Sequence, residues 1–98
     1  MMRVLSAERS FEPCAESGWY GYDIHLGEPV GEALISALGA LGRLSCVRSL
    51  KRPFFVVRGD GFLIRGIVGD RFLRAGFAER DAPQMERLLA AVAACVPD

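Results

Sequence analysis

Apolar and polar positions alternate along Trp19–Leu26, with Tyr20, Tyr22, Ile24 and Leu26 on one side and Gly21, Asp23 and His25 on the other. That two-residue period predicts a half-buried strand. Gly27-Glu28-Pro29 ends it, and Pro29 suits the first turn of a following helix because it has no amide hydrogen to satisfy. Across Val30–Leu41 the apolar residues Val30, Leu34, Leu38 and Leu41 recur at helical spacing, and Gly42 is placed to act as a left-handed stop. Gly31 and Gly39 each cost this helix up to about 1 kcal/mol relative to alanine, so it depends on tertiary packing.

Leu44–Val47 is a short apolar run that reads as a strand, followed by a polar bend over Arg48–Pro53. Three further strand-like runs follow: Phe54–Arg58, Phe62–Val68 and Arg71–Ala78. Gly59-Asp60-Gly61 and Gly69-Asp70 separate them, and connections this short and this rich in Gly and Asp favour antiparallel hairpins. Asp81 then stands where it would cap a helix, with Gln84 at the capping-box position and Pro83 in the first turn. Met85, Leu88, Leu89, Val92 and Val96 form the apolar stripe of that helix. At the other end, the weak alternation of Met2–Phe11 adds an edge strand or leaves 1–18 as an irregular arm, with a loop from Pro13 to Gly18.

These elements make one α+β domain over residues 1–98: a two-layer sandwich with an antiparallel sheet of about four to five strands and two helices on one face. The expected order is β-α-β-β-β-β-α, plus the optional N-terminal strand. Alternation then sorts the meander. If Phe62, Ile64, Gly66 and Val68, with Leu73, Ala75 and Phe77, face the helices, the opposite face carries Leu63, Arg65, Ile67, Phe72 and Arg74. A solvated sheet face is normally polar, and arginine mixed with large apolar groups is the composition of an interface core. The competing expectation is that residues 1–18 fold back over this face.

Charge sharpens the picture. The net charge is zero, but residues 1–42 hold two basic groups against six acidic ones, residues 43–80 hold nine against three, and residues 81–98 hold one against three. The basic stretch coincides with the strands. Arg48, Lys51, Arg52 and Arg58, with Phe54 and Phe55 beside them, resemble in composition the basic and aromatic surfaces that bind single-stranded nucleic acid or another polyanion. The chain has no RNA-binding signature and its pI is near 6.6, so attraction between its own basic and acidic segments is the plainer account. Arg48, Lys51 and Arg52 are placed at the rim of the apolar and basic face.

Catalytic chemistry finds little support. His25 beside Asp23 has the types for general-base work, but no nucleophile is tied to it, and a surface histidine is the simpler reading. Cys14, Cys46 and Cys95 form no CxxC pair and lack chelating spacing with His25, so no metal and no cofactor is expected. Cys46 and Cys95 read as core or near-core residues and Cys14 as an exposed thiol. Arg58-Gly59-Asp60 is explained by its turn, and the spacing of Gly59, Gly61, Gly66 and Gly69 does not open a helix as a phosphate loop must. No apolar stretch is long enough for a membrane span or follows a basic start as a secretion signal does, so a cytoplasmic protein with free thiols is expected. The reading that follows is a non-enzymatic protein-binding or regulatory module that forms a homodimer or meets another protein. A polyanion-binding module is the alternative, and a small thiol-dependent enzyme comes third.

Overall fold

The computed structural model describes residues 2–10, 18–49, 51–80 and 82–96. Among these residues, six antiparallel strands form one open sheet: β1 (Val4–Ser10), β2 (Tyr20–Leu26), β3 (Arg43–Val47), β4 (Phe54–Gly59), β5 (Phe62–Ile67) and β6 (Phe72–Phe77). Their spatial order is β1-β2-β6-β5-β4-β3. Two helices, α1 (Glu32–Gly39) and α2 (Pro83–Ala94), pack on one face of it. The α+β sandwich is as expected, but six strands replace the expected four to five, because the weakly alternating N-terminal run does form β1. β1 pairs along β2 and widens the sheet at its edge, so residues 4–10 do not fold over the open face. Residues 11–17, where Cys14 lies, are outside the described residues.

The core fills the space between sheet and helices. Phe55, Val57, Ile64, Leu73, Ala75, Phe77 and Ile24 come from the strands, Leu34, Ile35 and Leu38 from α1, and Leu88 and Val92 from α2. Ile24, Ile64, Leu73, Ala75, Phe77, Leu34, Leu38, Leu88 and Val92 belong to the sets expected from spacing, and Phe55, Val57 and Ile35 join them. The tight turn between β4 and β5 uses Gly61 at φ +76°, a backbone conformation that disfavours any side chain bearing a Cβ.

Several helix ends differ from the sequence expectation, each for a local reason. The helix α1 starts at Glu32, not at Val30, because Val30 donates its N–H to the Asp70 carbonyl and accepts one from Gly69 N. Those bonds tie Val30 to the β5–β6 connection, and Pro29 is left ahead of the helix. Gly42 is not a left-handed stop: a Cβ there would lie 2.3 Å from the Arg58 carbonyl oxygen, so its role is close approach of the chain to β4. The N-cap of α2 is Ala82, with no side-chain cap; Asp81 is outside the described residues. Gln84 instead donates from Nε2 to the Asp60 carbonyl at 2.9 Å, joining α2 to the β4–β5 turn. Finally, α2 ends at Ala94, so Val96 leaves the apolar stripe and is 70% exposed, while Cys95 is buried and its carbonyl accepts the Met2 N–H at 2.8 Å.

No helix among the described residues is long and apolar enough to cross a membrane.

Two substitutions test this packing. Leu88→Ala removes a fully buried side chain and is expected to cost about 2–5 kcal/mol, against under about 0.5 for its exposed neighbour Arg87→Ala. Gly42→Ala forces a methyl group onto the Arg58 carbonyl and is expected to cost about 1–3 kcal/mol. Denaturant midpoints read at unchanged slope check both, and equal effects at residues 87 and 88 would refute the helix phase.

Candidate interaction surface

Directly opposed residues in antiparallel strands share a face, so the register maps the side of the sheet away from the helices. Its central row runs Glu8, Asp23, Arg74, Arg65, Val56, Ser45 from β1 to β3. On one side of that row stand Ser6, His25 and Phe72, with the pairs Ile67–Phe54 and Phe54–Val47 completing it. On the other side stand Gly21, Gly76, Leu63, Arg58 and Arg43.

Four of the five residues expected on this face come together. Arg65, Ile67, Phe72 and Arg74 line a groove of about 490 Å³ with Phe54 and Val56 of β4 and with Arg52 and Asp70 at its edge. Leu63 does belong to the face by register, but it is 6% exposed and lies outside the groove, so it offers little surface. The sequence reading does not place Phe54 and Val56 on this face. Their signal was present in Phe54–Arg58, where Arg58 marks the outward side and Phe54 and Val56 share its parity.

Charges on the face are sorted by strand. The acidic side is Glu8 on β1 and Asp23 on β2; the basic side is Arg74, Arg65, Arg58 and Arg43 on β6, β5, β4 and β3. At the seam the Arg74 Nε donates to Asp23 Oδ1 at 3.2 Å, with its guanidinium carbon 6.0 Å from the Phe72 ring centre. Arg65 stands directly opposite Arg74, a like-charge pair, and among the described residues no carboxylate meets it. His25 is half-exposed beside Phe72, its Nε2 3.7 Å from Glu8 Oε2.

The expected polyanion set does not assemble. Arg48 is held by Glu32 at the start of α1, on the side that carries the helices, and so is not at the rim of the open face. Arg52 is at the groove edge but is paired with Asp70. Lys51 is exposed in the bend, and Arg58 is exposed on the open face. Arg48–Glu32 and Arg74–Asp23 both join the basic stretch 43–80 to the acidic stretch 1–42, the internal attraction that the charge pattern implies.

The thiols are equally dispersed. Cys46 is half-buried on the helix side opposite Phe55, whereas His25 is on the open face, so they form no catalytic pair. Cys95 is buried in the core. Among the described residues no three of His, Cys, Asp and Glu gather closely enough to hold a metal ion.

No protein-family model, curated protein or solved structure matches the chain.

Proposed function

We propose that this protein is a binding module that self-associates through the open face of its sheet. The observation that carries the reading is the self-complementary division of that face, acidic on β1 and β2 and basic from β6 onward, around an apolar groove. A symmetric contact must match a surface with itself. A two-fold axis parallel to the strands and passing between β2 and β6 lays the acidic half of one copy over the basic half of the other. It sets Glu8 toward the partner copy's arginines on β5 and β6, the arrangement that supplies Arg65 with a carboxylate. An axis perpendicular to the strands sets arginine against arginine and is disfavoured.

We place the protein in the cytoplasm, which suits a cysteine outside any disulfide such as Cys46.

A polyanion partner is the second reading, favoured by the absence of a carboxylate around Arg58 and Arg65 among the described residues. Glu8 and Asp23 on the same face oppose it, as does the engagement of Arg48 and Arg52 by carboxylates of the chain itself.

Light scattering and sedimentation at about 50 μM protein are expected to report a dimer that weakens as salt rises. Phe72→Arg, which adds a cation beside Arg74, is expected to leave a folded monomer. Glu8→Arg and Arg65→Glu are each expected to weaken the dimer by about tenfold or more, and the double variant to recover most of the loss. Recovery is diagnostic because β1 and β5 lie three strand spacings apart, about 14 Å, too far for an ion pair within one copy. A monomeric wild type sinks the proposal. A salt-dependent shift of labelled single-stranded DNA or RNA at about 50 mM salt supports the second reading in its place.

A further inference from the structure

The two edges of the sheet differ. The β1 edge is irregular: its register shifts between Val4 and Ser6, and Glu8 and Arg9 stand along it, with Arg9 stacked 4.7 Å from the Tyr20 ring centre. Bulges and charges are the devices by which edge strands are kept from pairing. The β3 edge has neither bulge nor proline: Arg43–Val47 pairs with β4 in unbroken register. Among the described residues no backbone outside β4 hydrogen-bonds to it. Its large apolar side chains are uncovered, Leu44 at 38% and Val47 at 37% exposure. A row of unpaired backbone groups beside exposed Leu and Val is a template for a further strand.

Charge identifies what that strand must carry. Arg43 stands directly opposite Arg58, both exposed, and among the described residues neither meets a carboxylate. Like charges directly opposed across two strands destabilise the pairing. A strand added outside β3 places its own side chain next to Arg43 on the same face, where a carboxylate relieves the repulsion. Ser45 and Val47 share that face, and Leu44 and Cys46 the other.

We propose that β3 is a docking edge for an extended acidic segment of a partner protein, which adds to the sheet as a seventh strand with Asp or Glu beside Arg43 and an apolar side chain beside Leu44. This goes beyond self-association through the open face. In the dimer described above β4 and β3 extend past the partner copy, so both contacts fit together.

The probe is a capped synthetic peptide of about seven residues alternating Glu and Val, with a Lys and Val peptide as control. Titration into the labelled protein, followed by amide resonances, is expected to shift and protect Arg43–Val47 and to leave β1 unchanged. The Lys peptide is expected to bind at least about tenfold more weakly, and Arg43→Glu to reverse that preference. Leu88 and its neighbours in the core report that the variant remains folded. The same titration on Phe72→Arg is expected to keep the preference for the Glu peptide over the Lys peptide, so failure of the dimer and failure of the docking edge are read separately. Equal binding of both peptides, shifts confined to the groove on β5 and β6, or binding of a single-stranded oligonucleotide but of neither peptide would each overturn the proposal.

Discussion

The two-residue period of an antiparallel sheet, sealed on one side by both helices, is the constraint on which the rest depends. Burial of Ile64, Leu73, Ala75 and Phe77 forces their neighbours Arg65, Phe72, Arg74 and Gly76 to the opposite side. A slip of one residue between β5 and β6 would exchange the sets and drive a guanidinium toward Phe55 and Leu88, at a desolvation cost far above any ion pair on the surface. The arrangement of charge on the open face is therefore a by-product of hydrophobic burial on the covered one. Apolar contacts that never touch the groove decide which side chains line it.

Within that frame the ion pairs contribute position more than stability. Arg3–Glu28, Arg48–Glu32 and Arg52–Asp70 are exposed on at least one side, where solvent screening leaves an ion pair little net stabilisation. Arg74–Asp23, one-third exposed, fixes the seam between the acidic and basic halves of the face. The arginines of the open face outside these pairs, Arg43, Arg58 and Arg65, interact weakly while solvated. Their influence grows once an approaching surface excludes water, because the same charges act through a lower dielectric. For that reason the pattern bears on recognition more than on folding.

Much of this architecture was legible from residue spacing. The helix-side and open-side sets of β5 and β6 follow from alternation alone, and Leu88 and Val92 follow from the helical period. What was illegible depended on contacts distant in sequence. Nothing local in Gly42 tells that it passes beneath the Arg58 carbonyl, and nothing in Pro29-Val30 tells that Asp70 and Gly69 hold Val30 out of the helix. Leu63 and Ile67 have the same parity in sequence, yet one is buried and the other lines the groove. The charge segments predicted internal attraction correctly in kind, but only the fold assigns Arg48 to Glu32 and so removes it from the open face.

The face and the edge use different physics, which makes them compatible. A contact across the face is made by side chains and depends on charge pattern and apolar fit; a strand added to β3 is held by backbone hydrogen bonds and tolerates sequence outside a few positions. They are also coupled. A carboxylate set beside Arg43 offsets its repulsion from Arg58 and so strengthens the pairing of β3 with β4, whose Phe54 and Val56 form one wall of the groove. Coupling between sites is reciprocal in free energy. Whatever ordering of β4 a strand at the edge provides to the groove, occupation of the groove returns to the edge in equal measure.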